Sequence, residues 1–298
     1  MYEDIGTLIR RGFETWRRNL KLAVPFVLMI AAMMLLAVIM AILIMYPLIT
    51  ASPGLISSSE GFEDPEQLMT LLQSTTNIGL MAAVVLIVIL AMFLSGSFFT
   101  AGAIGMAKEA TNAGKTALKV MWTSGKRHFL SLFLAEALTT IIILAGFTLL
   151  SLPFLSDLGA LFESSNPEFG PLVLWIILII AYGLLVSLLL AMVPYALVVE
   201  GLGPIGAIKT WVGFFLKNKM DVFLVWLVVM AVTVAIQFVA VPFSGSETAS
   251  AIFSILSGVA SILVISPLTT VWWTRLYMTR GGNISLAPPV SDEEVKYL

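Results

Sequence analysis

Residues 22–49 read LAVPFVLMIAAMMLLAVIMAILIMYPLI, and none of these 28 residues is charged. As a helix rising about 1.5 Å per residue, the stretch is roughly 42 Å long, more than the roughly 30 Å of a hydrocarbon core. Five more apolar runs follow: Ile78–Met106, Phe129–Pro153, Pro171–Val199, Val222–Phe243 and Ala249–Trp273. Together they predict an all-α polytopic membrane bundle of six transmembrane helices. Composition agrees. Hydrophobic residues make up 59% of the chain, charged residues 11%, and the mean hydropathy is +1.01. A soluble domain carries roughly 25% charged residues, so most of this surface must face lipid. No linker divides residues 1–298, which read as one membrane domain. The excess span length predicts tilting or kinking, with Pro194 and Pro267 as the causes in spans four and six.

Orientation follows from lysine and arginine placement. The 16 basic residues fall in four segments. Arg10, Arg11, Arg17, Arg18 and Lys21 precede span one. Lys108, Lys115, Lys119, Lys126 and Arg127 flank the loop after span two. Lys209, Lys217 and Lys219 follow span four, and Arg275, Arg280 and Lys296 close the chain. All lie on one side. The other side carries only acids: Glu60, Glu63, Asp64, Glu66, Asp157, Glu163, Glu168 and Glu247. Both termini are therefore expected in the cytoplasm, with the chain in the cell membrane. The N-terminus, charged and amphipathic ahead of a long apolar run, is not expected to be a cleavable signal.

Each outward span is preceded by a basic segment with an apolar stripe. Ile5, Leu8, Ile9, Phe13, Trp16 and Leu20 form the first. Ala117, Val120, Met121 and Ser124 form a weaker second, and Ile205, Ile208, Trp211, Val212 and Phe215 the third. Such helices are expected to lie in the interface plane, apolar face down, with Trp16, Trp122 and Trp211 as interfacial anchors. GTLIRRGFETWRRNL from Gly6 aligns without a gap on GAIKTWVGFFLKNKM from Gly206, while GKTALKVMWTSGKRHF from Gly114 aligns more loosely. The expectation is three parallel repeats of interfacial helix plus helical hairpin, at about 1–108, 109–201 and 202–282, with a cytoplasmic tail at 283–298. In the first outer loop Asp64-Pro65-Glu66 ahead of Leu68, Leu71 and Leu72 suggests a short capped helix.

Little here supports covalent chemistry. Cysteine is absent, which removes disulfides, thiolate metal sites and cysteine nucleophiles. The single histidine, His128, cannot build a triad or a metal cluster. GAIG and GLGPIG lack a phosphate-loop or dinucleotide fingerprint and read as packing glycines and turns. No catalytic residue, metal or cofactor is expected. The residue that stands apart is Glu136, well inside span three and roughly 13 Å beyond Arg127 along a helix. A carboxylate at that depth must pair, reach the surface, meet water or be neutral. Thr139 and Thr140 share its helix face, and Tyr182 and Gln237 are candidate polar neighbours from other spans. A helix–helix hydrogen bond is the plainer account of Glu136, a coupling or binding carboxylate the sharper one. Glu200 and Asp221, at the boundaries, are expected to pair with nearby lysines. Ser254, Ser257 and Ser261, with Gly258, have the spacing of a small-residue packing face.

Three stretches carry a resemblance: FTAGAIGMAKEATNAGKTALKVMWTSGKRHFLSLFLAEAL, VPYALVVEGLGPIGAIKTWVGFFLKNKMDVFLVWLVV and SPLTTVWWTRLYMTR. They resemble six-span membrane proteins of archaea and bacteria that include the membrane domain fused to some glycerophosphodiester phosphodiesterases. In those proteins an inward span ends in a Gly-containing turn and a basic helix follows. Their last span carries a proline and ends in a Leu-Tyr pair before an arginine, matched here by Pro267, Leu276, Tyr277 and Arg280. The resemblance implies an architecture and no reaction.

The expected function is non-enzymatic: handling or transporting a lipid or a small hydrophobic solute, with three hairpins enclosing a cavity and a basic rim facing anionic headgroups. The alternative is a scaffold or partner subunit of a transporter, docking cytoplasmic proteins through its interfacial helices. No nucleic-acid partner is expected. The topology is directly testable in this cysteine-free chain. Single cysteines replacing Ser58 or Ser164 should react with an impermeant thiol reagent in intact cells, and one replacing Ser124 should not; labelling at Ser124 would reverse the orientation.

Overall fold

The computed structural model describes residues 3–51, 78–155, 169–240 and 245–281, and all regular elements among them are helical. They are α1 (Ile5–Arg18), α2 (Val24–Ala51), α3 (Ile78–Ala113), α4 (Leu118–Ser151), α5 (Phe169–Leu190), α6 (Val193–Glu200), α7 (Pro204–Ala240), α8 (Glu247–Ala260) and α9 (Ser266–Arg280). Six stretches are long and apolar enough to cross a membrane: Leu20–Met45, Ala82–Ala113, Leu118–Phe154, Phe169–Glu200, Pro204–Ile236 and Glu247–Arg280. They match the six runs read from the sequence, in order. Helices are what lipid demands, because a chain without water must bond its own backbone groups. The first outer loop with its expected Asp64-Pro65-Glu66 helix, the acids Asp157, Glu163 and Glu168, and the tail at 283–298 lie outside the described residues.

Both expected proline interruptions are present. Span four breaks between α5 and α6 at Met192 (φ −108°, ψ 1°), just before Pro194. Span six runs as α8, a π-helical turn at Ser261–Ile265, then α9 with Pro267 in its first turn. Proline supplies no N–H and displaces the carbonyl four residues back, so the helix must bend or re-register there.

Helices α3 and α4 lie close together along their basic ends. A Cβ at Gly102 would sit 2.7 Å from Met121 Cγ, and one at Gly125 2.9 Å from Phe98 Cε2; one at Gly105 would overlap Ser124 Oγ. The Ser124 hydroxyl donates to Ala101 O across the contact at 2.9 Å. Glycine here removes the side chain that would hold the backbones apart. This seam corrects the expected second interfacial helix. The segment with Val120, Met121 and Ser124 is the straight first part of α4, which runs unbroken from Leu118 to Ser151. Its stripe covers α3, and nothing bends it away. The threefold set of like units is therefore not carried by its second member.

The other two segments do break from their spans, and each break carries an asparagine. Asn19 (φ −131°, ψ 59°) ends α1, and Asn218 (φ −123°, ψ 28°) kinks α7. In each case the side-chain amide donates to the carbonyl four residues back, Thr15 O at 2.9 Å and Phe214 O at 3.0 Å. Asn19 also donates to Gly114 O at 2.9 Å and accepts from the Thr116 N–H at 3.1 Å, tying this corner to the turn between α3 and α4. The stripe of α1 is covered by protein. Leu8 is fully buried, a Cβ at Gly12 would overlap the Trp272 ring, and Trp272 Nε1 donates to Ile9 O at 3.0 Å.

Burial is uneven along every span. In span one the buried residues stop at Pro25, in span three at Ala135 and in span five at Val225; in span six they begin only at Pro267. Span four is buried mainly from Met192 to Val199. The packed core is thus a layer at the basic end, centred on α9, whose residues from Pro267 to Met278 are buried with the exception of Thr269. The opposite halves present large apolar side chains outward, such as Ile42, Leu149 and Phe238.

The α3–α4 seam yields a stability test. Gly105→Val inserts an isopropyl group where Ser124 already sits, an overpacking that costs about 1–3 kcal/mol. Gly213→Ala, whose Cβ would meet nothing within 4 Å, gains roughly 1 kcal/mol of helix propensity. Melting of the two purified variants in detergent should move in opposite directions.

Candidate functional site

Glu136 is half-buried on α4, and its carboxylate accepts a hydrogen bond of 2.6 Å from Ser97 Oγ of α3. Ser97 is fully buried and also lies 3.0 Å from Phe93 O on its own helix. One hydroxyl proton therefore faces two acceptors. Of the residues expected around Glu136, Thr139, Thr140 and Tyr182 bond to backbone carbonyls and not to the carboxylate. Thr139 and Thr140 donate to the Glu136 backbone carbonyl at 2.9 and 2.8 Å, the back-bonding habit of hydroxyls in helices. Tyr182 donates toward Ile142 O and Ile143 O at 3.2 and 3.3 Å, which ties α5 to α4 one to two turns away. The Gln237 backbone belongs to α7, and its side chain lies outside the described residues. Ser97 is the partner that the sequence reading missed. Its signal was a small-residue segment, Ser95-Gly96-Ser97, interrupting an apolar span.

The expected Trp anchors divide. Trp122 is exposed, with its ring 5.3 Å from Phe98. Trp16 is half-buried against the core. Trp211 is a core residue, fully enclosed, with Nε1 bonded to Leu189 O. The stripe it belongs to is divided: Trp211 is enclosed, Ile208 and Phe215 pack against the core, and Ile205 and Val212 stay exposed. Glu200 and Asp221 were expected to pair with lysines, and they meet a tyrosine and an arginine. Glu200 accepts from Tyr277 Oη at 2.5 Å and Asp221 from Arg280 Nε at 2.6 Å.

The small-residue face expected in span six is not a close helix seam at its glycine. A Cβ at Gly258 would meet nothing within 4 Å. Ser254, Ser257, Gly258 and Ser261 instead line a cleft of about 330 Å³ with Thr233, Ile236, Phe253 and Ile265. Its hydroxyls bond to their own helices, as in Ser254 to Ser250 O and Thr233 to Val229 O, both at 2.9 Å. The cleft lies in the loosely packed half of the bundle, and one end of its lining is the π-helical turn. It offers hydroxyl oxygens and carbon surface and no charge. That suits a ligand that is mostly hydrocarbon with few polar atoms.

The fold and its spans define a polytopic helical integral membrane protein. The chain belongs to the family described as "Domain of unknown function (DUF7847)", whose model matches residues 4–279. An uncharacterized protein of Archaeoglobus fulgidus is 26% identical over 300 residues, covering 97% of this chain and 99% of its own length. No solved structure matches. Neither the family nor this relative carries a link to glycerophosphodiester phosphodiesterases, so that part of the resemblance is not supported.

The Ser97–Glu136 contact separates a structural carboxylate from a functional one. In Glu136→Gln one amide N–H can donate to Ser97 Oγ while the hydroxyl donates to Phe93 O, so the contact between the helices is kept. That variant should melt at or above the wild-type temperature. Ser97→Ala removes the donor and should cost about 1–3 kcal/mol, a loss that disappears in the Glu136→Leu background if the pair is the cause. Loss of ligand handling in a well-folded Glu136→Gln protein would make the carboxylate functional.

Proposed function

We propose that this protein handles or transports a lipid or other small hydrophobic solute within the cell membrane, without a covalent step, its termini on the cytoplasmic side. The observation that carries the reading is the uneven packing: spans joined tightly at the basic end and open beyond it, with a hydroxyl-lined cleft between α7 and span six. An apolar ligand needs no aqueous channel, only a lateral opening and a few polar atoms to orient it. The scarcity of charge in the cleft argues against ion coupling. The alternative is a scaffold that docks a cytoplasmic partner, and the exposed Arg10, Arg17 and Arg18 of α1 support it. A partner subunit retained through purification and lost on reversing those three charges would favour that alternative.

The orientation is tested with Lys119→Cys as the inside probe. Lys119 is exposed on the first turn of α4, whereas Ser124 is packed against α3. The function is tested with a phospholipid carrying a diazirine in its acyl chain, present in trace amount in nanodiscs holding the full chain. Crosslinks should concentrate on Thr233, Phe253 and Ser257 relative to the lipid-facing Ile42. Gly258→Trp, which fills the cleft, should deplete them while leaving Ile42 labelled. Cleft labelling no denser than at Ile42, and unmoved by Gly258→Trp, would remove the reading.

A further inference from the structure

A second opening lies between α4 and the start of α7. It is a groove of about 400 Å³ lined by Leu134, Leu138, Gly203, Pro204, Ile205 and Gly206, almost wholly carbon. Its floor is bare at the glycines. A Cβ at Gly203 would meet nothing within 4 Å, and one at Gly206 only Leu202 Cβ at 3.8 Å. Toward the basic end, the elements that form the groove carry or meet Arg127, Lys108 and His128. Arg127 shares a helix face with Leu134 and Leu138 by its spacing of seven and eleven residues, and sits about 10 Å further toward the basic end than Leu134. His128 lies beside the Gly201 turn that leads into Gly203, with Cε1 3.8 Å from where a Gly201 Cβ would be. Lys108 donates to Val199 O at 2.7 Å, at the end of α6. Lys108, Arg127 and His128 are close enough for their charges to act on one another. Among the described residues no carboxylate pairs with Lys108, Lys126 or Arg127.

We infer that the α4–α7 groove is a binding site for an anionic phospholipid, its acyl chain along Leu134, Leu138 and Ile205 and its phosphate at Arg127, Lys108 and His128. Two chemistries meet at one place. Uncompensated positive charge at the basic end calls for an anion. An apolar channel deeper along the same helix face calls for hydrocarbon, the order in which a lipid carries its phosphate and its chains. A soluble phosphate would use the cations and leave the groove empty. A zwitterionic lipid would fill the groove and bring its own cation to a site that already has two, Lys108 and Arg127. The inference deepens the lipid-handling reading by naming a headgroup class, and it rests on that reading for its purpose only.

The test is retention of lipid by the full-length protein, purified in detergent and measured by native mass spectrometry against phosphatidylglycerol and phosphatidylcholine. Wild type should retain phosphatidylglycerol preferentially. Arg127→Gln should lower that preference about fivefold, the effect of one basic residue near a membrane surface, and Arg127→Lys should largely preserve it. Gly206→Leu, which finds open space in the protein, should reduce retention of the bound lipid while leaving the melting temperature near wild type. Equal retention of the two lipids, no change in Arg127→Gln, or displacement of the lipid by millimolar inorganic phosphate would overturn the site. The arms are separate from the cleft experiment. Loss of Gly258-dependent crosslinking with phosphatidylglycerol preference intact removes the transport reading and keeps this site, and the converse removes this site alone.

Discussion

Arg275 sets the terms for the rest of the molecule. It sits on α9, the most enclosed helix in the structure, and is itself 6% exposed. A guanidinium in such a place must be paired, because removing one partner of a buried ion pair costs about 3–5 kcal/mol. The partner comes from the far end of the chain. Glu3 accepts from Arg275 Nε and from its terminal nitrogen, both at 2.9 Å, and its own side chain is 7% exposed. Arg280 adds a bond to the Glu3 carbonyl at 2.7 Å. The fork geometry suits a planar guanidinium and would not suit lysine. Helix α1 is thereby a structural wall of the core, held from outside the first span.

The same post gathers its other neighbours by polar contacts, one element each. Tyr277 takes Glu200 at the end of α6, Arg280 takes Asp221 beyond the kink of α7, and Trp272 takes the Ile9 carbonyl of α1. Between lipid-facing helices the hydrophobic effect supplies little, since acyl chains are as apolar as leucine. Association must come from close packing and hydrogen bonds. Both are concentrated at the basic end, the first in the glycine seam of α3 and α4 and the second around α9. Beyond it the contacts are fewer, such as those by which Tyr182 and Trp175 tie α5 to α4, and the spans there stay open.

Apolar runs, proline breaks and packing glycines were legible because each is a local rule with one outcome in lipid. Six spans in order, interruptions near Pro194 and at Pro267, and Gly102 and Gly105 as contact residues all belong to that class. The environment of an amphipathic helix was not legible. The stripe of Leu8, Ile9 and Trp16 has the spacing of a helix lying on a bilayer, and the same spacing serves one lying on α9. Periodicity reports that a face is covered, not by what. Long-range pairs were equally hidden. Arg275 read as one more basic residue near a span end, and Glu3 drew no reading; their 272-residue separation leaves no local trace. At the candidate site Glu136 was legible as an isolated charge, but its partner depended on which helix lay opposite. Thr139 and Thr140 looked like partners because they share its face, yet the nearest acceptor for each hydroxyl was the backbone of its own helix.

The division between packed and open halves gives span six a particular role. Its π-helical turn stands where burial ends: from Pro267 onward the helix is enclosed, and α8 before it has no buried residue. A π turn carries an extra residue in the helical ladder and makes a bend there cheap. Ser261 and Ile265, the first and last residues of that turn, both line the hydroxyl-bearing cleft. Any change in the angle of α8 about this joint is therefore a change in the width of the cleft, made without disturbing Arg275 and the contacts that hold the basic end together. A lipid-sized ligand entering sideways needs just that separation between a fixed end and a yielding one.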